Sequence, residues 1–341
     1  MLSLIFIFAK KMKKIGVVGV GHLGKIHLNC IKEISDFELI GFYDVNSVVA
    51  NDVAKNYNIK AYERFEDLLL DADVIDIVTP TISHFEYAKK SLEARKHVFI
   101  EKPIVTTIDE ARELMKISEN AGVQIQIGHV ERFNPAFLAT RPFIDDPKFI
   151  EAHRLSYFDP RGTDVPVVLD LMIHDLDILL TIIRSPIKNI YANGVPVITK
   201  NIDIANARIE FVNGSVANLT ASRISMKKMR KMRIFQKDSY LSIDFLNKQA
   251  EVIKIENNLI DDKNDNVLSM PIKLDNDLTK YAVVKKIILP EINAIKTELE
   301  KFLESINNNT KPEVSIEDGY QVLDVAYQII NKIQNNLSNI I

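Results

Sequence analysis

The sequence predicts an α/β chain: an N-terminal doubly wound parallel sheet, then a C-terminal α/β domain with an open, largely antiparallel or mixed sheet. Three observations predict this. Apolar strand patterns alternate with helical patterns from Ile15 to about Gly128, as they do when helices form the crossovers of a parallel sheet. The first strand runs through Gly19-x-Gly21-x-x-Gly24 directly into a helical pattern. From Ile187 onward strand patterns follow one another with little helix between them, which βαβ units do not produce.

The first strand is IGVVGV, from Ile15. It is followed by ELIGFY at Glu38–Tyr43, IKAY at Ile59–Tyr62, VIDIVT at Val74–Thr79, HVFIE at His97–Glu101 and VQIQIG at Val123–Gly128. These runs are nearly continuous in apolar residues, as expected of strands covered by helices on both faces. Helices are expected over Lys25–Ile34, Ser47–Asn56, Arg64–Leu70, His84–Ala94 and Ile108–Asn120, with Gly122 ending the last. After Asn134-Pro135 the pattern changes. A helical segment carrying Pro142 and Pro147 leads to a strand within Phe149–Tyr157, and a helix covers Val168–Ile183. The strands IKNIYANGV, DIANARIEF, VANLTASRI, RKMRIFQ, YLSIDFL and QAEVIKIE follow, with Asn213-Gly214 as a hairpin turn. Asn257–Asn266 reads as a polar loop. Glu291–Asn307 and Ser315–Ile333 read as closing helices, the second capped by Ser315-x-x-Asp318.

Two domains follow, residues 12–133 and 134–341, with the last helices allowed to pack back on the first domain. Residues 1–11 are expected to be a disordered tail or an artefact of the assigned start. LSLIFIFA is far too short to span a bilayer and lacks a basic n-region, and Met12-Lys13-Lys14 stands just before the first strand. A hydrophobic fraction of 47% and a charged fraction of 26% are those of an ordinary soluble protein. The net charge of −3 argues against a nucleic-acid partner, and the basic run Lys227–Arg233 reads as a solvated strand edge. Cys30 is the only cysteine, so no disulfide and no cysteine metal framework is expected, and a cytoplasmic setting fits.

The glycine turn carries the first functional expectation. Gly19 permits the turn, Gly21 leaves room for a pyrophosphate and Gly24 lets the helix pack on the strand, the pattern of a Rossmann fold that binds a dinucleotide. His22 and Leu23 belong to the same turn, where backbone N–H groups face the phosphates. Asp44 ends the second strand about 20 residues beyond Gly24. Its carboxylate suits the ribose hydroxyls and repels a 2′-phosphate, favouring NAD over NADP. Ligands bind at the carboxyl ends of such strands, which makes Thr79, Pro80, His84 and Glu101 further cofactor candidates. Lys102 is fixed there between the strand and Pro103, able to hydrogen-bond a substrate hydroxyl. On a helix, Asp170 and His174 share a face, so a carboxylate can orient an imidazole that accepts a proton. Asp175 and Asp177 are expected to be exposed or capping.

Together, GVGHLG with Asp44, TPTISH, Glu101-Lys102-Pro103 and Asp170-x-x-x-His174 resemble the glucose-fructose oxidoreductase/inositol dehydrogenase/MocA (Gfo/Idh/MocA) family, over nearly the whole chain from Ile15. The resemblance implies an NAD(P)-dependent oxidoreductase with catalytic roles for Lys102, Asp170 and His174. It also implies a C-terminal sheet that joins copies of the chain into a homodimer or homotetramer. Thr81 stands where many relatives carry asparagine. GHVERFNP, Gly128–Pro135, is similar to the segment of the branch that oxidises the C3 hydroxyl of UDP-N-acetylhexosamines. That makes Arg132, Asn134 and Arg161 substrate-binding candidates, with Arg154 and Arg223 as further candidates for a diphosphate. The alternatives are a dehydrogenase of a free sugar or inositol, an NAD-dependent glycosidase using transient C3 oxidation, and a dinucleotide-binding sensor.

Overall fold

The computed structural model describes residues 12–160, 163, 165–259, 267–273 and 279–338. Residues 1–11 and Arg161 therefore lie outside the described residues. The chain forms two compact units: residues up to Gly128 with Ile295–Tyr320, and His129–Ala294 with the chain from Gln321.

In the first unit strands and helices alternate: β1 (Lys13–Val18), α1 (His22–Lys32), β2 (Phe37–Tyr43), α2 (Ser47–Tyr57), α3 (Phe65–Asp71), β3 (Val74–Ile77), α4 (His84–Glu93), β4 (His97–Glu101), α5 (Ile108–Ala121) and β5 (Ile125–Gly128). Local chemistry sets several of these limits. The Asn46 side chain accepts from the N–H groups of Val48 and Val49 and starts α2. Thr107 and Glu110 form a capping box at α5, and Gly122 ends that helix with φ at +66°. The five strands are parallel, in the order β2-β1-β3-β4-β5. The expected strand IKAY is not one of them. It touches β2 only at a bridge between Phe42 and Ala61, flanked by bonds between Phe42 and Lys60 and between Tyr62 and Phe42, before the chain turns into α3. Crossing at one point, it cannot extend the ladder.

The second unit begins with α6 (Pro135–Thr140) and β6 (Phe149–Leu155). A π-helical turn over Val168–Met172 then opens into α7 (Ile173–Ile182), where one continuous α-helix was expected. The strands β7 (Ile187–Val195), β8 (Ile204–Phe211), β9 (Val216–Ser222), β10 (Met229–Gln236), β11 (Ser239–Asp244), β12 (Gln249–Glu256), β13 (Val267–Lys273) and β14 (Thr279–Lys286) follow. With β6 they make a nine-stranded sheet, in the order β13-β14-β12-β11-β10-β6-β9-β8-β7. It is mixed: β6 runs parallel to β9, while the other pairs are antiparallel. Gly214, at φ +84°, makes the expected turn between β8 and β9. The basic run leads from Lys227 into β10, the fifth strand of nine, and so does not lie on an edge strand of the sheet. Met232 and Ile234 point into the core, while Arg230, Lys231 and Arg233 are exposed, and Arg233 pairs with Glu151 and Lys231 with Asp244 on the outer face.

Two helices close the chain, α8 (Ala294–Asn308) and α9 (Ile316–Ser338). Leu299, Phe302, Leu303 and Ile306 of α8 join Ile15, Val17, Phe42 and Phe99 in one core. Each such side chain contributes roughly 1.5–3 kcal/mol by leaving water. The start of α9 is held by Ser315 and Asp318, whose side chains exchange hydrogen bonds with each other's backbone N–H.

Candidate active site

In the first unit the glycine turn lies where β1 and β3 adjoin, the point at which the winding of the sheet reverses and ligands bind. Gly19 has φ +90° and donates its N–H to the Tyr43 carbonyl at 2.8 Å. A Cβ there would come within 3.0 Å of the Thr79 backbone, and one at Gly24 would stand 2.1 Å from the Gly19 carbonyl oxygen. Gly21 differs. It is the N-cap of α1 with no side-chain cap, and nothing lies within 4 Å of where its Cβ would be. His22 beside it is exposed and Leu23 half-buried. The helix thus begins at a cradle that a side chain would fill, with its amide dipoles directed there. Asp44 is half-buried, with Oδ2 accepting from Val20 N–H and Oδ1 from Asn46 N–H, both at 2.9 Å. Its carboxylate is held at the end of β2 with lone pairs left for further donors. These residues fit a nicotinamide dinucleotide.

The ends of β3 and β4 are tied together by His84. Its imidazole is buried, with Nδ1 2.9 Å from the Pro103 carbonyl oxygen and Nε2 2.9 Å from that of Thr79. Burial pulls its pKa below the ordinary value against the pull of the carbonyls, and a neutral ring donates to one of them at a time. Thr79 is half-buried and Pro80 exposed. Lys102 is half-buried, and its peptide bond to Pro103 is cis. The Glu101 carboxylate turns inward: Oε2 accepts the Lys102 backbone N–H at 3.1 Å and Oε1 lies 3.2 Å from Nε2 of His27. Nδ1 of His27 is 2.9 Å from Asp76 Oδ2. His27 falls inside the expected helix Lys25–Ile34, where nothing in its local sequence distinguishes it. The signal that could have found it is Asp76, a charge inside the otherwise apolar strand VIDI.

In the second unit Asp170 lies on the π-helical turn and His174 on the first turn of α7, both half-buried. A π-turn inside a helix is a feature frequent at functional sites. Arg223 Nη2 is 3.8 Å from Asp170 Oδ2 and donates to the Val165 carbonyl at 2.7 Å. Asp175 and Asp177, expected at the surface, are 3% and 0% exposed. Arg154 grips Asp175 with two nitrogens at 3.0 and 2.8 Å and reaches Glu131 with a third at 2.8 Å. Arg132 grips Asp177 with Nε at 2.8 Å and Nη2 at 2.6 Å. Asn134 caps α6 by accepting from Ala136 N–H and donates to Glu131 and the Phe245 carbonyl.

Arg132, Asn134, Arg154 and Arg223 are all buried, because each serves a carboxylate or carbonyl of its own unit. Arg161 lies outside the described residues. Among the described residues no cluster could hold a metal ion, and no helix is long and apolar enough to cross a membrane.

Comparison with known proteins places this geometry in context. Residues 13–129 match the family described as an oxidoreductase family with an NAD-binding Rossmann fold, and residues 125–240 match the GFO/IDH/MocA C-terminal domain. The chain is 39% identical over 238 residues to a UDP-N-acetylglucosamine 3-dehydrogenase of Acidithiobacillus ferrooxidans, covering 70% of this chain and 75% of that enzyme. A solved structure of the Acidithiobacillus enzyme superposes with a TM-score of 0.84 at 32% identity, over 95% of this chain and 98% of the other. An inositol 2-dehydrogenase of Rhizobium meliloti is 25% identical over 227 residues, 62% of this chain and 68% of the relative.

Proposed function

Because the chain belongs to the Gfo/Idh/MocA family of NAD-binding oxidoreductases, we propose that it is an NAD-dependent dehydrogenase of a sugar hydroxyl, the C3 hydroxyl of a UDP-N-acetylhexosamine. The observation that carries the substrate is the likeness to the UDP-N-acetylglucosamine 3-dehydrogenase in both sequence and fold. Inositol dehydrogenases among the relatives support a second reading, in which the substrate is a free inositol or sugar.

The roles divide by residue. Gly21 and the N-terminus of α1 receive the pyrophosphate, with Gly19 and Gly24 shaping the turn. Asp44 accepts hydrogen bonds from the ribose hydroxyls, and its negative charge favours NAD over NADP. A nicotinamide dinucleotide held by these residues would supply the acceptor for a hydride from the sugar carbon. Lys102 hydrogen-bonds the hydroxyl oxygen and polarises it, and His174 accepts the hydroxyl proton, with Asp170 one turn earlier orienting the ring. Arg223 in turn holds Asp170. Copies of the chain associate through the outer face of the nine-stranded sheet, where the rings of Phe149, Phe235 and Tyr240 pack at centroid distances of 5.6 and 4.7 Å.

The test is absorbance in the NADH band with NAD and UDP-N-acetylglucosamine, beside free N-acetylglucosamine and inositols, followed by mass spectrometry of the product. NADH formed with loss of two hydrogens from the nucleotide sugar is the expected result. NADH formed only with an inositol or a free sugar would replace it with the second reading.

A further inference from the structure

Under the segment that carries Lys102 lies a buried row of three ionisable groups from three elements. His27 on α1 and Asp76 on β3 are 0% exposed, and Glu101 at the end of β4 is 8% exposed. Each ring nitrogen of His27 faces a carboxylate oxygen, at 2.9 Å toward Asp76 and 3.2 Å toward Glu101. A neutral imidazole has one N–H and one lone pair, so in this position it would turn the lone pair on one of the two carboxylates. Only the imidazolium presents a positive N–H to each, hydrogen-bonding Asp76 and meeting Glu101 as a buried ion pair outside hydrogen-bond alignment. Such a row is not the cheapest way to fill a core, since apolar residues of similar volume are often as stabilising or more so. Its geometry leads to Lys102, because the second oxygen of Glu101 accepts the Lys102 backbone N–H.

We propose that His27 is a positioning residue for the reaction: as an imidazolium clamped by Asp76 it fixes Glu101 as an anion, and that anion orients the Lys102 peptide and supports the Lys102 ammonium. This rests on the reading of Lys102 as the group that polarises the substrate hydroxyl.

The electrostatics of the row agree with the geometry. Burial pulls His27 down, but Asp76 and Glu101 overcome it and hold the imidazole well above its ordinary value. Burial pushes Glu101 up, and His27 with Lys102 more than reverses this. Asp76 ends raised, burial outweighing His27. The groups acting on Glu101 are His27 and Lys102, and Glu101 in turn acts on His84 from α4. Phe99 of β4 contributes an uncharged ring, 5.7 Å from that of His27. Without His27, two buried carboxylates would compete for one proton, and Glu101 would lose its charge for part of the time.

Nitrogen-15 NMR of the histidine rings in the intact protein, free of cofactor and substrate, tests the first link. The His27 ring, identified by its contact with Phe99, is expected to keep both nitrogens protonated in the range just above the ordinary histidine value, where an unperturbed imidazole is neutral. An unprotonated ring nitrogen in that range would overturn the proposal. The second link is read on Lys102 through a carbon-13 dimethyl label on its amine, assigned by its disappearance in K102R. In Glu101→Gln its titration midpoint is expected to fall by about one pH unit, because an opposite charge is lost, and in His27→Gln the midpoint of the Glu101 carboxyl, read by its carbon-13 signal, is expected to rise because the cation beside it is lost. An unchanged midpoint in either folded variant would overturn the proposal, and if His27→Gln does not fold, Glu101→Gln and the native ring signals decide. Neither readout needs turnover. A protein that passes both yet leaves UDP-N-acetylglucosamine untouched would keep the row and lose the substrate.

Discussion

Two glycines a few residues apart are set to fail in different ways. Gly24→Ala would drive a methyl group into the Gly19 carbonyl oxygen, forcing α1 away from β1, whereas Gly21→Ala would enter open space. Calorimetric titration with NAD, paired with thermal unfolding, should therefore show weaker binding in both but lower stability only in Gly24→Ala. Equal stability loss in the two would refute this account of the turn. For the chemistry, Lys102→Ala and His174→Ala should each lower kcat by roughly 10²–10⁴ with little change in NAD affinity; lost NAD affinity would reassign them to binding. These residues were legible in the sequence because short spacings carry them: glycines within one turn, an acid at a strand end, an Asp and a His one helical turn apart. The pairing of Arg132 with Asp177 was not, since partners 45 residues apart leave no local trace. His27 was hidden for the same reason, 49 residues from Asp76.

At the scale of elements, α7 is fastened from two sides, by Arg154 on β6 through Asp175 and by Arg132 through Asp177. Both pairs are nearly free of solvent, so removing one partner leaves a buried charge and should cost about 3–5 kcal/mol. Urea unfolding of Asp177→Asn reads this, and a loss below about 1 kcal/mol would mean that the pair is no clamp. Thr107→Ala, which opens the capping box of α5, should cost only about 1 kcal/mol in the same experiment. Sequence periodicity placed β4, β7 and β12 at their observed limits, because alternation or a continuous apolar run bounded by polar residues is a local property. It could not see the π-turn before α7, whose residues look helical either way. Nor could it rank β10 within its sheet, since charges on alternate residues mark a solvated face as readily as an edge. The ladder of β13 and β14 escaped notice because β13 is largely exposed and carries a proline, Pro271, and the apolar run Tyr281–Val284 of β14 is only four residues between charged ends.

For the whole molecule, opposing titrations bound the range of stability. His97 Nδ1 accepts the Gln124 N–H and so must be unprotonated, and burial, with Lys13 nearby, lowers its pKa to about 4. Its folded value lies below its unfolded one, so its contribution is present above pH 6.5 and is lost as pH falls toward 4. Asp203, pushed up by burial but held down to about 2 by the N–H groups of Val197, Ile198 and Thr199, gives way further into acid. His27 has the opposite sign: its raised value stabilises the fold below its unfolded pKa, and this is lost as pH rises through the folded one. Thermal midpoints should therefore fall on both sides of a plateau, and His97→Asn should flatten the decline between pH 6.5 and 4; an unchanged decline would exclude His97 as its source.

The position of β6 also dictates an order of events in time. It sits between β9 and β10 in the nine-stranded sheet, yet precedes both by some 60 residues or more of chain, whereas β7-β8-β9 and β10-β11-β12 are each joined by short local connections. The two meanders can close early, while β6 must wait for its partners and pay the larger loop entropy. Pulsed hydrogen exchange during refolding should find the amides of β8 and β11 protected first and those of β6 last, the strand that comes earliest in the sheet's sequence completing it as a late-arriving keystone.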